Sequence, residues 1–224
     1  MAGDLVMPVT VLVVAKAPVP GQTKTRLAAA VGDQAAADIA AAALLDTLDA
    51  VAAAPVQDRV VALTGDLNRA SRGTEIRNAL SGFMVVEQRG EDFAGRLANA
   101  HVDAAAAGLP ILQIGMDTPQ VTADLIAACA QALLGNDAVL GLADDGGWWV
   151  LGVTDPAMAD CLRTVPMSRP DTGALTLTAL RDNGIDVDLV AQLADVDTVE
   201  DVDVVRRACA PISRFARATV AAGA

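Results

Sequence analysis

Aromatic side chains are nearly missing from this 224-residue sequence: they make up 2% of it, and tyrosine does not occur at all. A core must therefore be built from Val, Leu, Ile and Ala. Hydrophobic residues still amount to 53%, which predicts an ordered globular protein and excludes a disordered one. The length suits one domain better than two, so we expect a single domain over residues 1–224.

Cysteine and histidine are also scarce. The three cysteines, Cys129, Cys161 and Cys209, are far apart and form no CxxC pair, so neither a zinc site nor a disulfide framework is indicated. The one histidine, His101, lies in a predicted helix beside Asp103, where we expect a packing or surface role. With one histidine and no G-x-S-x-G motif, the sequence disfavours Ser-His-Asp and Cys-His catalysis.

Positively charged residues are few: the sequence has 16 lysines and arginines against 28 aspartates and glutamates, and its formal net charge is −12. This balance argues against nucleic acid and against an anionic membrane surface as partners. The apolar run 9–15 is too short to cross a membrane, and no basic region precedes it. We therefore expect no membrane insertion and, by default, a cytoplasmic location.

Strand-like and helix-like segments alternate along the chain. The β-branched run 9–15 predicts a strand buried on both faces. Further strands are predicted at 59–64, 83–87, 109–114, 138–142, 148–153 and 185–189, and helices at 33–54, 74–80, 93–107, 123–134, 173–182 and 199–222. The alternation predicts an α/β fold with a mostly parallel sheet covered by helices on both faces, and ligands at the carboxyl ends of the strands.

The loop that follows the first strand concentrates positive charge in an acidic protein. Lys16, Lys24 and Arg26 lie within it, Pro18 stiffens it, and Gly21 permits a backbone geometry or close approach that a side chain would block. Lysine, arginine and backbone N–H groups can hold phosphate oxygens, although neither the Walker motif nor G-x-G-x-x-G is present. The alternative is a solvated basic turn before a helix.

The same loop carries a resemblance to a known family. Its motif K-A-P-x-P-G-x-x-K-T-R-L resembles that of a bacterial family of glycosyltransferase-like proteins named for an arsenosugar-pathway glycosyltransferase, which is related to 2-phospho-lactate guanylyltransferases. Both are similar to the molybdenum-cofactor type of nucleotidyltransferases. The match covers nearly the whole chain, because it continues at 88–90, 93–97, 115–119, 143–147 and 195–201.

The resemblance implies a GT-A-like, Rossmann-related fold and a division of the site. On the nucleotide side it implies Ala15, Lys16, Ala17, Pro18, Gly21, Lys24, Arg26 and Arg96, although Arg96 could equally be a helix-surface charge. On the acceptor side it implies Gly146, Gly147, Trp148, Ser168 and Thr172. The sequence departs from the family pattern at Met116, at Trp148 and at 165–167, which affects the acceptor more than the nucleotide.

Asp117 is the first candidate metal ligand. It follows a predicted buried strand and Gly115, and Pro119 restricts the turn after it. Mg²⁺ prefers oxygen ligands and commonly joins one or two carboxylates to substrate phosphates. The alternative is a turn or capping aspartate before the next helix, although Thr122 could cap that helix instead.

Two later acidic pairs are further candidates. Asp144 and Asp145 lie in a turn that Asp-Gly alone would predict as a hairpin, and we favour Asp145 for a site role. Asp195 and Asp197 precede a helix, where capping is the alternative; the resemblance implies that one of them completes the metal site, and we prefer Asp197. Thr198 with Asp201 is a good helix start.

These residues together predict a transferase dependent on Mg²⁺ or Mn²⁺, with Asp117 and Asp197 as metal ligands and with Lys24, Arg26, Asp117 and Asp145 as the catalytic set. The expected partners are a nucleoside triphosphate or a nucleotide sugar and a small-molecule acceptor. Nucleotidyl transfer is the first hypothesis and glycosyl transfer the second. A nucleotide-binding regulator without turnover is the third, and a homodimer is left open.

Overall fold

The strand β1 (Met7–Lys16) lies at the centre of a seven-stranded sheet in the computed structural model, which describes residues 6–224. The other strands are β2 (Val56–Thr64), β3 (Met84–Glu87), β4 (Ile111–Gly115), β5 (Ala138–Leu142), β6 (Trp148–Val153) and β7 (Val187–Leu189). Their order across the sheet is β3-β2-β1-β4-β6-β5-β7. All but β6 run in the same direction, so the prediction of a mostly parallel sheet is confirmed.

The helices are α1 (Thr25–Val31), α2 (Asp33–Ala53), α3 (Gly73–Ala79), α4 (Phe93–Ala104), α5 (Ala123–Leu133), α6 (Thr172–Asp182), α7 (Val199–Ala208) and α8 (Arg214–Ala222). Short 3₁₀ segments occupy Leu80–Gly82, Ala105–Ala107 and Pro156–Thr164. On one face of the sheet the buried core includes α2 and α5, and on the other it includes α4 and α6. Helices on both faces are therefore confirmed.

The antiparallel strand β6 is placed by the turn that precedes it. Asp144–Gly147 closes a hairpin between β5 and β6, and β6 then pairs with β4 on its other side. The hairpin interpretation of this turn is thus correct for the backbone. Because β6 runs backwards, its first residue, Trp148, lies at the carboxyl edge, by which we mean the sheet edge where the parallel strands end.

The helix predicted at 199–222 is wrong as a single element. The chain breaks between α7 and α8 around Pro211, whose missing N–H cannot continue a helical hydrogen-bond ladder. Ser213 starts the second helix by accepting a hydrogen bond from the N–H of Ala216. The break lets α8 fold back onto α2, where Phe215 is fully buried and Arg214 binds Asp46.

The long helix α2 is built largely from alanine, and its small side chains allow close packing between the sheet and the C-terminal helices. No helix within residues 6–224 is both long enough and apolar enough to cross a membrane. The three cysteines are free thiols, with Cys129 and Cys209 buried and Cys161 half-buried.

His101 is fully buried in α4, and neither ring nitrogen has a hydrogen-bond partner. The expected packing role is therefore the one that the structure supports. Asp103, its neighbour in sequence, points to Arg89 instead and forms a two-pronged ion pair with that guanidinium. Burial lowers the pKa of His101 to about 3, so the ring is neutral at neutral pH.

This burial predicts an acid-sensitive contribution to stability. An unfolded histidine takes up its proton near pH 6.5, whereas folded His101 does so only near pH 3, so acid favours the unfolded chain between these values. In His101→Leu this contribution is absent. We expect the wild type to lose about 2–3 kcal/mol more than the variant between pH 7 and pH 4.5, measured by urea unfolding. Equal losses in the two proteins would contradict the assignment.

Candidate functional site

A segment that follows β7, residues 190–197, lies across the carboxyl edge of the sheet; we call it the crossing segment. Three of its backbone N–H groups donate hydrogen bonds to other parts of the chain. The N–H of Val190 donates to the carbonyl of Leu140, that of Leu193 to Leu142, and that of Val196 to Asp117. The side-chain amide of Gln120 adds a hydrogen bond to the carbonyl of Ala194 at 2.5 Å. The segment therefore joins the ends of β5 and β4, and it brings its own acidic residues to Asp117.

Lys24 and Asp117 form the central ion pair of this edge. The ammonium Nζ of Lys24 lies 2.9 Å from Oδ2 of Asp117, and it also donates to the carbonyl of Val196. The Lys24 side chain is only 10% exposed, whereas that of Asp117 is 39% exposed. A nearly buried ammonium thus links the loop after β1, the loop after β4 and the crossing segment.

The basic loop, residues 16–27, is held in place before it reaches Lys24. The N–H of Ala17 donates to Thr64 and the carbonyl of Pro18 accepts from Ser71, so the start of the loop is tied to β2 and to the turn beyond it. Lys24 itself has a left-handed backbone, with φ of 51°, at the start of α1. This conformation is uncommon for a residue with a side chain, and it turns Lys24 inward while Arg26 stays exposed.

The other cations of the loop have different partners. Arg26 pairs with Asp197 of the crossing segment at 2.6 Å, in an exposed position. The ammonium of Lys16 donates to the carbonyl of Gln22 at 2.7 Å and so closes the loop on itself. Lys16 and Lys24 are the two lysines of the entire sequence, and both lie in this loop.

Asp195 is the acidic residue of the crossing segment directly before Val196, whose N–H donates to the Asp117 carbonyl. Burial, followed by the charge of Asp145, raises the pKa of Asp195 to about 6; Lys24 opposes this shift and Asp117 adds to it. Three carboxylates and one ammonium therefore lie close enough to influence one another. Asp197, the residue preferred from the sequence as the second metal ligand, pairs with Arg26, whereas Asp195 is subject to the charge of Asp117.

The two aspartates of the hairpin turn have different partners. Asp144 accepts a hydrogen bond from the side chain of Gln192, whereas Asp145 is the one whose charge reaches Asp195. Asp145 also accepts a hydrogen bond at 2.7 Å from the N–H of Gly147, which fixes its carboxylate in the turn. Asp145 thus has both the turn role and the place at the carboxyl edge that the sequence analysis considered.

The expected capping residues account for the neighbouring helices. Thr122 caps α5 by accepting from the N–H of Leu125, which leaves Asp117 free of that role. Thr198 and Asp201 form a capping box at the start of α7. The carboxylates of Asp117 and Asp195 are therefore not needed to start a helix.

Several residues predicted for the acceptor side form a packed wall in which glycine is required. The N–H of Gly173 donates to the carbonyl of Gly146, so the start of α6 packs directly on the hairpin turn. A Cβ on Gly146 would lie 1.8 Å from the carbonyl oxygen of Pro170, and its φ is +89°. Thr172 is buried in this wall and donates to the carbonyl of Pro166 at 2.9 Å.

Ser168 lies beside this wall, in a cleft of about 430 Å³ between the start of α4 and residues 163–168. Its backbone is left-handed, with φ of 58°. Trp148 is half-buried against the core under α4 and α6, where Met167 also packs. Ser168 thus faces a cleft, whereas Thr172 and much of Trp148 support the structure around it.

The other residues predicted for the nucleotide side lie in β1, in the basic loop and in α4. The N–H of Lys16 donates to the sulfur of Met116 at 3.2 Å. Arg96 is held near the start of α4 by a hydrogen bond to the carbonyl of Gly90. Ala15 and Ala17 are buried, and Gly21 lies exposed at the tip of the loop.

Gln88 is a residue of this edge to which the sequence analysis gave no role. Its side-chain nitrogen donates to the carbonyls of Ala15 and Ala62, at 2.8 and 2.9 Å, and so ties the ends of β1 and β2 together. Since both neighbours are acceptors, the amide nitrogen must face them and the amide oxygen faces away. A polar residue directly after a predicted strand was the signal available for it.

The oxygen atoms at this edge suit a hard divalent cation, but they need oxygen ligands from a substrate to complete its coordination. Asp117, Asp145 and Asp195 offer carboxylate oxygens, which are the ligands that such a cation prefers. Within residues 6–224, however, no three acidic, histidine or cysteine side chains are arranged to enclose a metal by themselves. Such an arrangement fits Mg²⁺ or Mn²⁺ held by one or two carboxylates together with phosphate oxygens.

Comparison with known proteins agrees with this architecture. The family described as "Uncharacterized protein conserved in bacteria (DUF2064)" matches residues 47–169, a range that contains Asp117 and Asp145. Curated proteins gave no sequence match. A Desulfovibrio desulfuricans G20 protein, assigned as a nucleotide-diphospho-sugar transferase, has a crystal structure with a TM-score of 0.84 at 26% identity, covering 96% of each chain.

Two more distant structures share the fold. Rv0371c of Mycobacterium tuberculosis H37Rv, in complex with manganese, has a TM-score of 0.55 at 19% identity and covers 88% of this chain and 97% of its own. CMP:2-keto-3-deoxy-manno-octonic acid synthetase, in complex with CTP, has a TM-score of 0.56 at 13% identity and covers 89% and 97%. The fold is GT-A-like, as predicted, and the transferases among these neighbours confirm the expected enzyme class.

The close contact at Gly146 predicts a specific sensitivity to substitution. In Gly184→Ala the new methyl meets open space and only the positive φ of +76° is strained, which costs about 1–2 kcal/mol. In Gly146→Ala the methyl also collides with Pro170, so we expect about 2 kcal/mol of additional destabilisation. Urea unfolding of both variants measures the difference. Equal losses would mean that the turn and α6 are not in contact.

Proposed function

This chain belongs to the DUF2064 family, and we propose that it is a nucleotidyltransferase dependent on a divalent metal, which transfers a nucleotidyl group from a nucleoside triphosphate to a small phosphorylated acceptor. The observation that carries the proposal is the meeting of Lys24 and Asp117 at 2.9 Å on the carboxyl edge. A site for a metal–phosphate complex needs these two kinds of group side by side.

The basic loop is the part of the site suited to the triphosphate. The otherwise acidic chain has its two lysines here, and Arg26 adds a planar group able to bind two phosphate oxygens at once. Arg26 is exposed and its partner Asp197 is half-buried, so phosphate can compete for the guanidinium at low cost. The CTP complex of the synthetase with the same fold supports a nucleotide as partner.

The acidic residues are suited to the metal. We assign Asp117 and Asp195 as its protein ligands, since Asp195 directly precedes Val196, which binds the Asp117 carbonyl, and the charge of Asp117 acts on it. Asp197 stays the partner of Arg26. Bound Mg²⁺ or Mn²⁺ would neutralise charge on the phosphates, and the manganese complex of a protein with this fold supports such a cation. Asp145, whose carboxylate is fixed by the N–H of Gly147, would orient the acceptor.

The proposed reaction needs no protein nucleophile. A phosphate oxygen of the acceptor forms a bond to the α-phosphorus, and the bond from that phosphorus to the β-phosphate oxygen breaks. Pyrophosphate leaves with the electron pair. Lys24 and Arg26 hold the phosphates in line and stabilise the charge on the leaving group. We propose that a single domain performs these steps, with the acceptor in the cleft beside Ser168.

Glycosyl transfer from a nucleotide sugar is the second candidate. The observation that favours it is the 26% identical Desulfovibrio protein assigned to nucleotide-diphospho-sugar transfer. The relation to arsenosugar glycosyltransferases also stays a prediction. The basic loop favours the first candidate, because a triphosphate carries more charge than a nucleotide sugar.

Binding can be tested without knowledge of the acceptor. We expect one or more nucleoside triphosphates to raise the melting temperature in the presence of Mg²⁺, because a ligand of the folded state stabilises it by about 2.7 kcal/mol at a hundred times its Kd. Asp117→Asn should remove the Mg²⁺-dependent part of the shift. Asp144→Asn is the matched control and should keep it, because Asp144 points to Gln192. No shift with any nucleotide at millimolar concentration would refute the proposal.

The products separate the candidate functions. With a triphosphate and a panel of small phosphorylated acids and sugars, nucleotidyl transfer releases pyrophosphate, whereas glycosyl transfer from a nucleotide sugar releases a nucleoside diphosphate. We expect pyrophosphate, and a loss of turnover of about a hundredfold or more in Asp117→Asn. If Asp117→Asn binds the nucleotide as tightly as the wild type does, and the wild type turns over no acceptor, the protein would instead be a nucleotide-binding regulator.

A further inference from the structure

We propose that Lys24 blocks the metal site of the free protein, so that the divalent cation binds together with the nucleotide phosphates and only weakly before them. The inference rests on the proposed function and adds to it an order of binding. It follows from the ion pair between the Lys24 ammonium and the Asp117 carboxylate, which places a positive charge where a metal ligand would otherwise be available.

The ammonium of Lys24 is well held in this position. It has two acceptors, Oδ2 of Asp117 and the carbonyl of Val196, and its side chain is 10% exposed. A charge so far removed from water must keep a partner, since an unpaired buried charge is strongly unfavourable. Lys24 therefore leaves Asp117 only when another anion is offered to it.

A metal and the Lys24 ammonium cannot share Asp117 as it is placed here. A cation on the same carboxylate would lie within a few ångströms of the ammonium, and like charges at that distance repel strongly. The other carboxylates, Asp145 and Asp195, do not replace Asp117, because no group of three acidic side chains within residues 6–224 is arranged to enclose a metal. The free protein thus offers a metal little more than a crowded, partly neutralised site.

Nucleotide phosphates remove both obstacles at once. Their oxygens give Lys24 a new anionic partner, and its flexible four-carbon stem can reach it by rotation of the side chain alone. Asp117 is then free, and the same phosphates supply the oxygen ligands that the protein lacks. Nucleotide and metal must therefore raise each other's affinity, because such coupling is reciprocal.

Binding of Mn²⁺ alone, measured by electron paramagnetic resonance without nucleotide, tests this directly. Lys24→Met removes the charge but keeps the length of the side chain, and we expect it to bind Mn²⁺ about tenfold or more tightly than the wild type. Adding Asp117→Asn to that variant should abolish the gain. Lys16→Met is the matched control: it removes the other lysine of the loop, whose ammonium binds Gln22, and should leave Mn²⁺ affinity unchanged.

Lys24→Asn serves as a second variant, because asparagine tolerates the left-handed backbone at this position and also lacks the charge. Its Mn²⁺ affinity should rise as in Lys24→Met. If neither folded variant binds Mn²⁺ more tightly than the wild type, the blocking role of Lys24 is refuted. An equal gain in Lys16→Met would refute it as well, since the effect would then be one of general charge.

The two proposals fail in distinguishable ways. If the wild type shows the Mg²⁺-dependent shift with a nucleotide but the Lys24 variants gain no Mn²⁺ affinity, the nucleotidyltransferase proposal stands and the order of binding does not. If the Lys24 variants gain affinity but no nucleotide shifts the wild type, Lys24 still shields Asp117 and the assigned substrate is wrong.

Discussion

The crossing segment, residues 190–197, is the constraint on which the site depends. It is not a strand of the sheet over most of its length, yet its N–H groups are bonded to the ends of β5 and to the Asp117 carbonyl. Backbone hydrogen bonds of this kind fix direction as well as distance, and Val196 both donates to the Asp117 carbonyl and accepts from Lys24. Without this segment, Lys24 would have one partner instead of two.

The electrostatics of the edge follow from that geometry. Asp117, Asp145 and Asp195 are brought near one another in a protein whose formal net charge is already −12, and the raised pKa of Asp195, about 6, is a consequence. The ammonium of Lys24 compensates part of this charge from a nearly buried position. Arg26 and Asp197 form a second, exposed pair beside it, which salt and substrate can disturb more easily. Both pairs start from the basic loop, but the Lys24 pair reaches the loop after β4 and the Arg26 pair reaches the crossing segment.

The supporting wall shows how packing sets the positions of polar groups. Gly146 and Gly173 allow the hairpin turn and the start of α6 to touch at backbone distance. The turn in turn orients Asp145 through the N–H of Gly147. At the same edge, the side-chain amide of Gln88 joins the ends of β1 and β2. Residues without a direct chemical role thus decide where the chemical groups point.

The amino-acid sequence by itself determined the elements and the edge on which the site lies. The β-branched run of β1, the alternation of strands and helices and the Asp-Gly turn are local patterns, and the bounds of β5 and β6 agree with them. Local patterns also place Lys24, Asp117 and Asp145 in the loops that follow β1, β4 and β5. The break at Pro211 is a local signal as well, because proline cannot continue a helical hydrogen-bond ladder.

Only the tertiary structure decided which partners meet. Asp195 and Asp197 are two residues apart with similar neighbours in sequence, and nothing local shows that Asp197 pairs with Arg26 while Asp195 is subject to the charges of Asp145 and Asp117. That choice depends on the path of the crossing segment, which is fixed by hydrogen bonds to residues far away in sequence, such as Leu140, Leu142 and Asp117. The same holds for Lys24, whose inward turn needs a left-handed backbone at a position where sequence favours none. Sequence patterns carry periodicity over a few residues, whereas charge pairing depends on distances that only the folded chain defines.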